Sequence, residues 1–434
     1  MKRSLVLAVL VAAPAALQAQ VNPILEALPP NTAIDLGPVE LPDIPGDSTG
    51  GCSQALGKTA YSRFTYDPTD HLMLLFGGGH ATTSRDDVAA FDFGTLRWES
   101  AYTPTPLGDM AGANLDATHG RWISSNHPTA RHTYDALVWA ESTGELVLLS
   151  SNDGQPTCNY PNTPAYHGTT IAQYDPLAGT WTFTEHPTLG LACAAEYDPL
   201  SRRIVAFGAQ GYEAKGLWTY DPGTRDLKRH ADTPNFRSYA DNLVYFPPND
   251  RMYYFSRGDP IRVFEIELDR EDFSRTRITE IATTGAPAAP AGDADDTGFA
   301  YDAADQIIGG GISDGVFHAF DPIARAWTSV VMNTEPAGGT IGTQADHALD
   351  YDVRDGVFVF VTTYGSGGHT WAYRYGPGEP PSLPPPREAG GGTGQGGTTS
   401  QAAGSGGCQT GAGPSLLPWL ALMALRPTRA RRRP

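Results

Sequence analysis

The chain has 434 residues, with 48 acidic against 30 basic side chains and a formal net charge of −18. Such a surface repels nucleic acid and anionic membranes, and no basic stripe interleaved with aromatic residues offers an exception, which excludes nucleic acid as a partner. Glycine and proline, 49 and 36 residues, punctuate the chain into short runs, the texture of an all-β protein.

In chain order, residues 1–19 carry Lys2 and Arg3, an apolar run from Leu5 through Leu17, and a small-residue site ending at Ala19. That is the order of a secretory signal peptide cleaved after Ala19. No cysteine follows the site, so a lipid anchor is not indicated. Residues 20–58 form an N-terminal segment in which 32–41 reads as a strand.

Residues 59–376 then repeat one plan six times. The first unit reads YSRFTYDP at 61–68, LMLLFGGG at 72–79, VAAFDF at 88–93, and Trp98. Each run suits one strand of a four-stranded blade. The aromatic residue closing the first strand recurs at Tyr66, Trp139, Tyr197, Tyr245, Tyr301 and Tyr351. A second marker, an aromatic seven residues before a Trp or Leu, recurs as Phe91 and Trp98, Tyr174 and Trp181, Tyr220 and Leu227, and Phe320 and Trp327. The pattern predicts an all-β, six-bladed β-propeller with four-stranded antiparallel blades. It resembles the kelch repeat, with glycine runs at Gly77 to Gly79 and Gly309 to Gly311, although units four and six lack the Trp. The sixth unit supplies three strands and stops at Pro377. An open blade would expose unpaired N–H and C=O groups, so the strand in 32–41 is expected to close the ring.

Residues 377–407 are Pro-rich, then Gly/Ser/Thr-rich, and read as a flexible linker. Residues 408–434 follow with Cys408, an apolar run from Leu416 to Leu425 and a cluster of arginines. As a helix the run spans only ~15 Å, too short for a stable membrane span. The order of linker, Gly-Cys, short apolar run and arginines resembles the MYXO-CTERM sorting signal of myxobacterial surface proteins. That resemblance implies processing at Cys408 by a sorting machinery, membrane association only before processing, and a mature protein secreted to the outer cell surface or released. In a secreted chain Cys158 and Cys193 fall on one propeller face in neighbouring blades and form the first-choice disulfide; Cys52 with Cys158 stays open.

The longest connections, about 102–131 and 151–168, lie on one face of a propeller, and binding residues concentrate on such loops. The ligand-binding set is therefore His80, Arg121, Trp122, His127, His132, Tyr134, Asn152, Asp153, Tyr166, His167, Tyr239 and Asp241, over blades one and two toward the channel. No compact catalytic motif occurs, and a glycan or protein outside the cell is the expected ligand. A polysaccharide lyase is the alternative. In it His80 or His132 acts as base, Tyr134 or Tyr166 as acid, and Arg131 or Arg237 neutralises a uronate carboxylate. The Tyr166-His167 pair also resembles the copper-binding Tyr-His pair of the galactose oxidase family, the third reading. No cofactor is expected from motif spacing. The residues suited to Ca²⁺ or a transition ion are Asp295, Asp296, Asp346 and His347, at the starts of adjacent inner strands.

Overall fold

A computed structural model describes residues 21–376 except 79–81, 150–152, 155–165, 168–169, 187–192, 209–214, 235, 237–240, 257–259, 288–297 and 363–367; at 153, 154, 166, 167 and 193 it describes the backbone alone. These residues build a six-bladed β-propeller. Blade one comprises Phe64–Asp67, Leu72–Leu75, Ala89–Asp92 and Arg97–Ser100, paired antiparallel in that order. Blades two to five repeat the arrangement, beginning at Leu137–Ala140, Cys193–Asp198, Asn242–Phe246 and Phe299–Asp302. In blade six, Gln344–Asp352, Val357–Thr362 and His369–Arg374 are completed by Thr32–Pro38, which pairs antiparallel with His369–Arg374. A short strand, Asn333–Glu335, adds parallel to Thr32–Pro38 and makes this sheet five-stranded.

The repeat markers have physical reasons. Residues seven apart are cross-strand partners in the outer hairpin: Phe91 faces Trp98, Tyr174 faces Trp181, Tyr220 faces Leu227 and Phe320 faces Trp327. Some of these tryptophans also tie one blade to the preceding one. Trp98 donates its indole N–H to Thr370 Oγ1 at 2.8 Å, and Trp181 donates to the Tyr102 hydroxyl at 2.7 Å. The aspartate after the first-strand aromatic caps the next turn. Asp67 accepts from the Thr69 and Asp70 amides, and Asp302 and Asp352 do the same in their blades.

Because each blade is covered on both faces, its strands read as nearly continuous apolar runs. Among the described residues the propeller core is divided among six apolar clusters, one per seam. Leu74, Phe76 and Ala90 of blade one pack with Leu137, Trp139 and Trp181 of blade two, and the blade six to one seam is filled by Phe64, Met73, Val357, Val359 and Ala372. At about 25 cal/mol per Å² of apolar surface, such seams supply the main force holding the ring closed. Gly77 and Gly309 are small for packing reasons. A Cβ on Gly77 would sit 2.0 Å from the Lys58 carbonyl oxygen, and one on Gly309 would sit 2.2 Å from the Phe317 ring.

Candidate functional site

The connection from blade one to blade two is a folded cap. It contains the 3-10 turns Leu107–Asp109 and Gly112–Asn114 and a hairpin pairing Leu115–Asp116 with Arg121–Trp122. Trp122 is buried in a small core with Ile44 and Met110, so its ring supports the loop. Arg121 binds Asp116 through Nε at 3.0 Å and lies over the Phe183 ring at 5.2 Å. His127 packs against Tyr102, with ring centres 4.2 Å apart, and its Nδ1 lies 3.6 Å from Asp86. Arg131 is 1% exposed and donates to the carbonyls of Thr129 (3.1 Å) and Gly120 (2.6 Å). Its guanidinium braces the cap.

His132 and Tyr134 behave differently. They meet Tyr61 at the channel rim. The His132 ring centre lies 4.6 Å from Tyr61 and 5.7 Å from Tyr134, and His132 Nδ1 is 3.5 Å from the Tyr134 hydroxyl. The backbone extends this group around the axis. Tyr134 N donates to Tyr61 O at 2.6 Å, and Tyr61 N donates to Asp346 Oδ2 at 2.6 Å. Tyr61, Tyr134 and Asp346 each stand five residues before their blade's aromatic anchor, and all are left-handed, with φ of 50°, 48° and 44°. For an L-residue this conformation costs about 1–2 kcal/mol. Strain repeated at one position in three blades marks a constrained rim. His347 is fully buried behind it. Asp241 is also buried, accepting from the Tyr254 hydroxyl at 2.5 Å.

For Asp153, Tyr166 and His167 the backbone alone is described: Asp153 pairs with His167, and Gly154 with Tyr166, in a two-stranded ribbon. His80, Asn152, Arg237, Tyr239, Asp295, Asp296, Cys158, Ala19 and Cys408 lie outside the described residues, as does any Cys158–Cys193 bond. Cys52 is disulfide-bonded. Among the described residues no helix is long and apolar enough to cross a membrane.

Two constellations escaped the sequence reading. Between blades one and six, buried His71 lies with Nε2 3.0 Å from Asp352 and 3.4 Å from Asp355. Among the described residues this is the group with the donor types and spacing to hold a metal ion. The second is the opposite mouth of the channel. A cavity of about 320 Å³ there is lined by all six anchors: Tyr66, Trp139, Tyr197, Tyr245, Tyr301 and Tyr351. Arg63 stands at its base, 2.7 Å from Glu196 and 3.2 Å from Asp135. Burial disfavours the Arg63 charge, but these carboxylates and Asp350 outweigh it and raise its pKa further. Asp350 accepts from the amides of Tyr66 and Tyr351, and burial, partly offset by Arg63, pushes its carboxyl up to about 6.

No protein-family model and no curated protein matches the chain. Among solved structures it is similar to an auxiliary nutrient binding protein from Bacteroides ovatus (15% identity, TM-score 0.44, 73% of this chain and 69% of that one). It is also similar to a structural genomics protein of unknown function from Bacteroides thetaiotaomicron (12% identity, TM-score 0.44, 78% and 74%).

Proposed function

We propose that this is a secreted, surface-displayed, kelch-like binding propeller that engages an extracellular glycan at the rim over blades one and two. The observation that carries this reading is the strained aromatic cluster of Tyr61, His132 and Tyr134, joined through Tyr61 to Asp346. An aromatic ring flanked by imidazole and carboxylate suits a sugar, whose C–H face stacks on the ring while its hydroxyls find polar partners. His132 and Tyr134 are nearly buried and Tyr61 is half-buried, so Tyr61 is the contact residue and the other two position it. Delivery outside the cell rests on the signal peptide ending at Ala19, with sorting through Cys408.

A polysaccharide array probed with the full chain and with Tyr61→Asn tests this, because Asn tolerates left-handed backbone. Retention of a polymer by the wild type, lost at least tenfold in a variant that melts normally, is expected. Equal retention by both overturns the rim assignment.

The contact of His132 Nδ1 with the Tyr134 hydroxyl at 3.5 Å favours a lyase as the second reading. In that reading Arg131 braces the cap through backbone carbonyls, and Arg237, outside the described residues, remains the candidate for the uronate carboxylate. Ultraviolet absorbance of unsaturated uronate in the same incubations separates an enzyme from a binder.

A further inference from the structure

The cavity opposite the rim is built by the repeat itself. Each blade contributes its anchor, and the residues two further on, from Pro68 round to Val353, complete the wall. The anchors follow Tyr61, Tyr134 and Asp346 by five residues, a reach of at most roughly 16–18 Å of chain, and none of those three residues lines the cavity. The two ends of the channel are therefore separate sites. The volume, about 320 Å³, sits at the small end of ligand pockets and suits a small molecule rather than a protein segment.

The lining decides the chemistry. Two of the tyrosines have their hydroxyls engaged at the turns: Tyr197 accepts from the Ser142 amide at 3.1 Å, and Tyr245 donates to Asp250 at 3.0 Å. What those side chains offer the cavity is aromatic surface. Against one guanidinium, the wall carries the carboxylates of Glu141, Glu196 and Asp350. Arg63 is held by Glu196 and Asp135 and offsets the Asp350 charge only in part, and among the described lining residues no cation acts on Glu141. Rings provide negative quadrupole faces, and carboxylates in a sheltered site gain by meeting a positive charge. An anion is repelled, and a neutral apolar molecule leaves the carboxylates uncompensated.

We propose that this mouth of the channel binds a small organic cation, an alkylated ammonium held within the ring of six aromatic anchors and neutralised by Asp350 and Glu141. Binding is then linked to protonation. Burial raises Asp350 to about 6 and also raises Glu141, with Glu196 adding to the latter. A cation favours their ionised forms, so affinity rises as pH passes upward through this range and falls below it.

The test is calorimetric titration of the full chain with choline and with its uncharged isostere 3,3-dimethylbutan-1-ol, at pH 7.5 and pH 5. Choline is expected to bind at least tenfold tighter than the isostere and to weaken several-fold at pH 5. Glu141→Gln, at an exposed position, should weaken choline several-fold with an unchanged melting temperature, and Tyr245→Ala, which also gives up its packing and its bond to Asp250, should weaken choline more strongly when read well below its own melting temperature. Equal binding of cation and isostere, tighter binding at pH 5, binding of glucose in preference to choline, or no heat from choline at millimolar concentration each overturns the proposal. The rim assignment stands or falls separately, because Tyr61→Asn should leave choline binding intact.

Discussion

His71 offers the sharpest test of how the ring is held shut. It terminates the first turn of blade one in a left-handed conformation, stacks on Phe93 with ring centres 4.8 Å apart, and places Nε2 between Asp352 and Asp355 of blade six. Burial opposes charge on the imidazole, but the hydrogen bonds and fields of the two aspartates overcome it and raise its pKa from 6.5 to about 9. The side chain is 2% exposed, so solvent screens the pair little. A shift of this size corresponds to about 3 kcal/mol at 1.36 kcal/mol per pH unit. The folded pKa lies above the unfolded one, so the stabilisation is complete below about pH 6.5. It declines as pH rises through the window up to about 9 and is gone beyond it. His71→Gln keeps a donor but removes the charge. Chemical denaturation of both proteins between pH 6 and 10 should show the wild type losing about 3 kcal/mol more than the variant across that window. At roughly 0.7 kcal/mol/K for a ring of this size, that equals about 4 °C of melting temperature. Other groups titrate in both proteins, so the difference between the two curves isolates His71. Parallel curves would refute the ion-pair reading of the seam, and a gap that widens upward with pH would reverse its sign.

Two further outcomes follow from close packing and buried charge. Gly77→Ala drives a Cβ to 2.0 Å from the Lys58 carbonyl and 2.4 Å from Ser62 Oγ; a backbone atom yields poorly, so a loss of about 3 kcal/mol is expected in thermal melts, and a variant as stable as wild type would show that the inner strand moves freely. Arg63→Met strands the carboxylates of Asp135 and Glu196, which costs about 3–5 kcal/mol, and the deficit measured by urea unfolding should shrink from pH 8 to pH 5 as carboxylates around the vacated position take up protons; a deficit independent of pH would argue that packing, not charge, is what Arg63 supplies.

What the sequence made legible is what local geometry encodes. Phe91 and Trp98 keep their spacing because they face each other across a hairpin, and Asp67 or Asp352 follows its aromatic because a carboxylate there closes the turn. Such signals recur with each blade and identify the fold. The closing strand was legible from a deficit, since blade six had three strands and an unpaired edge. Asn333–Glu335 was not, because three residues added in parallel carry no periodicity. At the rim, His132 and Tyr134 could be placed by their distance from an anchor. The cap residues Trp122 and Arg131 look identical in sequence to binding residues, and burial against Met110 or bonding to Gly120 is decided by how a long connection folds on itself.

The opposite mouth shows the reverse situation. Its six aromatics were in plain view as repeat markers, but a one-dimensional repeat says that positions are equivalent, not that they converge. Convergence comes from closing the ring: six equivalent positions on six innermost strands must meet around one axis. That signal was available once six blades were counted, and applied to any residue near an anchor it identifies channel lining directly. The charges among them are different. Arg63 and Asp135 stand three and four residues before the anchors of blades one and two, while Glu196 and Asp350 take the place directly before the anchors of blades three and six that Thr65, Val138, Val244 and Ala300 hold elsewhere, and together they break the sixfold sameness of the wall. A scaffold needs only the repeated residues. Departures from the repeat that are buried, charged and gathered at one end of the channel are therefore where selection for a ligand, rather than for the fold, would leave its mark.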